Sequence, residues 1–179
     1  MAHKIQMLMM ALLGVSSIGN AKTQPAGTEG MVIKKGKIVY TEITIKATPE
    51  KVWQVFSNYQ NYPHWNPFIK SLEVTPEVGK HIKVFLQPAS GKGMTFTPRV
   101  LNNAPAIELR WVGKLGPGYL FDGEHVFQLH DNGNGTTTFR QFERFRGLLV
   151  PFMKHMLDSN TYNGFKAMNE QLKIEVEGR

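Results

Sequence analysis

Residues 38–46 (Ile-Val-Tyr-Thr-Glu-Ile-Thr-Ile-Lys) are rich in β-branched positions and predict a strand. Thr48, Pro49 and Glu50 follow it as a helix start. A threonine caps the first free N–H groups, proline suits the first helical position, and a carboxylate favours the positive end of the dipole. Val52, Trp53, Val55 and Phe56 then give a short helix one apolar face. It ends by Asn58, before the turn-rich residues 61–67.

From Phe68 onward the pattern is that of strands: residues 69–75, 81–87, 94–102, 107–114, 123–130 and 136–146. Asp131, Asn132, Gly133, Asn134 and Gly135 separate the last two and predict a hairpin, because Asn and Gly tolerate positive φ. Consecutive strands joined by short turns imply an antiparallel meander. Residues 151–177 form the one long helical segment, with Leu157, Thr161, Phe165, Met168 and Leu172 recurring at helical spacing. Gly164 inside that stripe costs about 1 kcal/mol relative to Ala and marks a bend or a close contact. The predicted class is α+β: a curved antiparallel sheet of six to seven strands around a long C-terminal helix, with one or two short helices after the first strand. A gap between sheet and helix becomes a cavity.

Alternation assigns the faces. Phe139, Gln141, Glu143 and Phe145 share one side of residues 136–146, and Arg140, Phe142, Arg144 and Arg146 share the other. The basic side belongs outside, so the first set points inward, together with His125, Phe127 and Leu129 of the preceding strand. A three-residue loop at 133–135 sets His125 opposite Glu143, and a five-residue loop sets it opposite Gln141. Either way an imidazole and a carboxyl meet in an apolar chamber. Leu109 and Trp111 share one face of their strand and are expected to line the same space. Trp65 and Phe68 either close one end of the cavity or staple their loop to the sheet. Asn66, held extended by Pro67, is expected to organise that turn.

Other features bound the function. The N-terminus has Lys4, an apolar run at residues 7–15 and small residues up to Ala21, the three parts of a secretory signal peptide. The expected division is a signal peptide at 1–21 cleaved after Ala21, a linker at 22–30 and one domain at 31–179, with a periplasmic or secreted destination. The net charge of +7 is spread along the chain rather than concentrated, which argues against nucleic acid and for a solvated basic surface. With no cysteine there are no disulfides, thiolate metal sites or cysteine nucleophiles. The histidines lack the paired spacing of a zinc enzyme, so no metal is expected.

Three strings carry a family resemblance: Trp65-Asn66-Pro67-Phe68-Ile69; Glu108-Leu109-Arg110-Trp111 leading to Phe121-Asp122-Gly123-Glu124-His125; and Glu143-Arg144-Phe145 leading to Gly147-Leu148-Leu149-Val150-Pro151, with Gly164-Phe165 and Ala167-Met168-Asn169 beyond. Over residues 38–177 the chain resembles the SRPBCC superfamily, the START and Bet v 1-like helix-grip proteins, and within it the small bacterial polyketide cyclase/dehydrase-like members. The resemblance implies the helix-grip fold. Its members include transporters, receptors, cyclases and hydrolases, so it implies no catalytic residue here.

The expected activity is binding of a hydrophobic or amphipathic small molecule, lipid- or polyketide-like, without cofactor. Leu109, Trp111, His125, Phe127, Phe139, Gln141, Glu143, Phe145, Phe165 and Met168 are the candidate ligand-binding residues. The alternative is a cofactor-independent cyclase or dehydratase in which Glu143 orients His125 as general base. A third role for the pair is a buried contact that satisfies itself. The outer stripe of Arg140, Arg144 and Arg146 around Phe142 is either a solvated sheet face or a transient contact with an anionic membrane surface.

Overall fold

A computed structural model describes residues 31–33, 36–88, 91–117, 119–153 and 157–178. The expected signal peptide and linker, residues 1–30, lie outside the described residues. A short strand β1 (Met31–Ile33) pairs with β2 (Gly36–Ile45), and helix α1 (Pro49–Phe56) follows. Thr48 caps α1 through a long 3.5 Å acceptance from the Lys51 N–H. A 3₁₀ turn and the one-turn helix α2 (Tyr62–Trp65) lead into β3 (Ile69–Leu72), β4 (Val84–Leu86) and β5 (Met94–Phe96), which form a three-stranded sheet. Then β6 (Arg99–Ala104), β7 (Glu108–Leu115), β8 (Phe121–Asp131) and β9 (Thr137–Arg146) complete a six-stranded antiparallel sheet in the order β1-β2-β9-β8-β7-β6.

The sheet curves around the C-terminal helix α3 (Tyr162–Glu177), the helix-grip arrangement expected. Two predicted elements are interrupted. The strand expected over 94–102 divides at Thr97 and Pro98, because proline offers no N–H to a ladder and its carbonyl instead accepts from the Ile82 N–H. The helix expected over 151–177 begins as a 3₁₀ turn (Val150–Met153), passes through a π turn (Leu157–Thr161) and is α-helical only from Tyr162. Gly164 explains part of its placement: a Cβ there would run into the Phe68 ring, so the glycine lets the helix seat against the loop after α2.

The helix is fixed at both ends. Phe68 meets Phe165 edge-on at 5.6 Å near its start. At its end Lys173 Nζ donates to the Thr44 carbonyl at 2.7 Å, and Glu177 accepts from the Lys46 N–H at 2.8 Å. Asn66 organises its turn as expected, its Oδ1 accepting from the N–H groups of Phe68 and Ile69. Trp65 is buried against Tyr62 of the same helical turn.

The convex face carries the basic stripe, and most of it is paired. Arg140 lies 3.3 Å from Glu42, Arg144 lies 3.4 Å from Glu124 and stacks over Phe142, and Arg110 bridges Glu108 and Glu124. The stripe is a lattice of alternating charge rather than a positive surface.

Candidate functional site

The hairpin register is the one a three-residue loop dictates. Asn132 and Thr136 close the loop around residues 133–135, and His125 stands directly opposite Glu143. The same row continues to Trp111 on β7 and Val39 on β2. The next row brings together Leu109, Phe127, Gln141 and Thr41.

Burial separates these residues sharply. Leu109, Trp111, His125, Phe127, Phe139, Gln141, Phe145, Phe165 and Met168 are all buried, packed into one continuous core with Phe56 of α1 and Leu172 of α3. Glu143 differs: it belongs to the inward-facing row, yet 18% of its side-chain surface remains accessible. That accessible surface means the core leaves some space at the Glu143 side chain.

The strand sequence makes that space. Gly123 and Gly113 are paired across β8 and β7, so the sheet has two adjacent positions without side chains. A Cβ on Gly123 would come 2.5 Å from Glu143 Oε1, so the carboxyl occupies the room the glycine leaves. Phe96 of β5 covers Gly113, while Phe145 and Phe121, with ring centroids 5.6 Å apart, stand beside Gly123. Lys37, buried on the same face, lies opposite Phe145 in β2.

Behind the carboxyl the site is walled by aromatic rings. The His125 ring lies between Phe127 and Phe165, stacked at centroid distances of 4.2 and 4.6 Å, with Trp111 edge-on at 5.3 Å. Desolvation disfavours the charged form of each group. It pushes the His125 imidazole down to about 3 and the Glu143 carboxyl up to about 8. At neutral pH the two are a neutral imidazole and a carboxylic acid, not an ion pair. Their closest approach, 3.9 Å from Nδ1 to Oε2, is too long for a hydrogen bond.

His125 Nε2 instead faces Gln141 Nε2 at 3.0 Å. With the amide donating, the imidazole carries its proton on Nδ1, directed toward Glu143. Gln141 Oε1 is buried without a partner, as is Asn169 Oδ1, while Asn169 Nδ2 donates to Thr41 at 3.0 Å. Sequence reasoning did not single out Thr41, Asn169 or Gly123. Each left a signal: Thr41 sits in the inward alternation of β2, Asn169 in the apolar stripe of α3, and Gly123 is a glycine inside a strand.

The family model for polyketide cyclase/dehydrase and lipid transport matches residues 37–177, nearly the whole described chain. The chain belongs to that family. The family's description covers both cyclases and lipid transport. No curated protein sequence matches it. Among solved structures it is similar to the ZhuI aromatase/cyclase of Streptomyces sp. R1128, with 16% identity, 80% of this chain and 95% of that one covered, and a TM-score of 0.66. A START superfamily protein of Mycobacterium smegmatis aligns with 19% identity over 79% of this chain and 97% of its own, TM-score 0.60. A protein of Mesorhizobium loti aligns with 20% identity over 79% and 97%, TM-score 0.60. At these identities the likeness is one of fold.

Proposed function

We propose that this family member binds an uncharged hydrophobic or amphipathic small molecule within the grip, with Glu143 anchoring the ligand's polar end. One observation carries the reading: Glu143 faces inward, keeps accessible surface, and makes no hydrogen bond among the described residues. A protonated carboxyl donates one hydrogen bond and accepts others, which suits a hydroxyl or carbonyl on an otherwise apolar ligand. The affinity would come mainly from apolar area, about 25 cal/mol per Å² before association costs.

The test is native mass spectrometry on protein purified from its own host without detergent. A retained neutral compound of a few hundred daltons in the wild type, lost in Glu143→Leu, supports the reading. Equal retention in both proteins overturns the anchoring role.

The family description also favours a second reading, a cyclase or dehydratase. Here Glu143 is the better placed proton donor, since its pKa near 8 lies close to operating pH. His125 is a weak base, with one nitrogen engaged by Gln141. An enzyme would keep ligand affinity and lose turnover in Glu143→Gln; a carrier would change affinity alone.

We also propose that residues 1–21 direct export, on their sequence pattern. An N-terminus at Lys22 in protein recovered from the periplasm or medium supports this, and an intact Met1 in cytosolic protein overturns it.

A further inference from the structure

Two segments meet at the end of the sheet nearest Glu143: residues 115–121, from the last residue of β7 to the first of β8 (Gly118 lies outside the described residues), and residues 147–153, after β9. Their backbones are joined, Leu148 N–H donating to the Tyr119 carbonyl at 3.1 Å and Leu149 N–H to the Leu120 carbonyl at 3.0 Å. Gly147, at φ +124°, makes the junction possible, because a Cβ there would collide with the Leu120 carbonyl.

The joined loops present large apolar side chains to solvent. Phe152 is 86% exposed, and Tyr119 and Leu148 are each 66% exposed. Neither seven-residue segment contains a charged side chain: they read Leu-Gly-Pro-Gly-Tyr-Leu-Phe and Gly-Leu-Leu-Val-Pro-Phe-Met. Charge begins at their borders. Lys114 and Arg146 flank Asp122 in register, two bases to one acid, and neither base makes an ion pair among the described residues. The arginines farther along the convex face are held by Glu42 and Glu124.

We infer that this double loop docks on an anionic bilayer surface, with Tyr119, Leu148 and Phe152 entering the headgroup boundary and Lys114 and Arg146 meeting the lipid charge. An apolar projection rimmed by bases is the chemistry of interfacial binding. Tyrosine, with an apolar body and a polar tip, suits that depth. The loops also adjoin the end of the concave face where Gly123 and Phe145 lie beside the Glu143 carboxyl and Phe121 packs on Phe145. Docking there would place the recess against the membrane as the source or destination of an apolar ligand. That last clause rests on the binding function proposed above; docking itself does not.

The absence of cysteine gives a position-specific test. Leu148→Cys and, separately, Ile174→Cys on the exposed side of α3 are each labelled in the full chain with an environment-sensitive fluorophore. They are then titrated with phosphatidylcholine vesicles containing or lacking phosphatidylserine. The expected result is a blue shift at position 148 only, only with phosphatidylserine, and reversed by high salt. Adding Phe152→Ser should raise the lipid concentration needed by about tenfold, and Arg144→Gln should leave it unchanged.

Four outcomes overturn the inference: no shift at 148, equal shifts at 148 and 174, equal shifts on neutral vesicles, or a shift on raising protein concentration without lipid. The last would assign the tip to a second copy of the chain. A wild type that carries no retained compound in mass spectrometry, with docking intact, would instead count against the binding reading alone.

Discussion

Gly123 lies directly beneath the carboxyl of Glu143, close enough that a single added methyl would stand 2.5 Å from Oε1. The glycine therefore sets where the acid sits, and the acid keeps accessible surface on the inward face.

Gly123→Ala is expected to turn the Glu143 side chain out of its place without removing it. Overpacking of this kind costs about 1–3 kcal/mol. Ligand retention should fall as far as in Glu143→Leu, although the carboxyl is still present. Urea unfolding and native mass spectrometry on the same preparation separate the two effects. Full retention in the alanine variant would show that the carboxyl's position is immaterial.

The two buried ionisable groups predict opposite pH trends. Glu143 has a pKa of about 8 when folded and about 4.3 when unfolded. Across that window the folded state holds a proton the unfolded state releases, so stability is highest below the window and falls as pH rises through it. His125, at about 3 folded and about 6.5 unfolded, contributes stability above pH 6.5 that is lost as pH falls toward 3. Glu143→Gln should match wild type near pH 4 and exceed it at pH 8 by at least about 1 kcal/mol. Urea midpoints at pH 4.5, 6.5 and 8 check this; a constant difference would mean the carboxyl ionises as if hydrated.

Helix propensity argues for Gly164→Ala and packing argues against it. The gain is about 1 kcal/mol, but the methyl would meet the Phe68 ring face that seats α3. Packing should win, with a net loss of about 1–2 kcal/mol. Phe68→Leu should restore part of it, a coupling that a double-mutant cycle measures.

Ala106, in the tight turn between β6 and β7, is the one non-glycine residue at positive φ among the described residues, at +60°. A left-handed alanine is strained by about 1–2 kcal/mol. Glycine relieves that strain, and the freer unfolded chain it brings offsets part of the gain. Ala106→Gly should stabilise by up to about 1 kcal/mol, seen as a rise in Tm with no change in ligand retention.

Much of this architecture was legible in the alternation of residues 123–146. Inward Phe139, Gln141 and Phe145 against outward arginines decide the faces, whereas the register stood open between a three-residue and a five-residue loop, and the three-residue loop of the structure is what sets His125 opposite Glu143. What alternation does not reveal is which inward residue touches open space. Phe127 and Phe139 point inward as Glu143 does, yet Phe56 and Phe165 fill the volume above them. That filling depends on where α1 and α3 sit, and their seating is set by contacts such as Gly164 on Phe68 that no periodicity encodes. The interruption of the long helix was equally hidden, since Leu157 and Phe165 fall on one apolar stripe whether or not a π turn lies between them.

The junction at Leu120 and Gly147 has a consequence for how this protein can change over evolutionary time. Its form is written largely in main-chain hydrogen bonds and one missing Cβ, so it depends little on the exposed side chains at 119, 148 and 152. Mutation can exchange them freely at constant fold, and selection can retune what the tip recognises while Gly147 stays as it is.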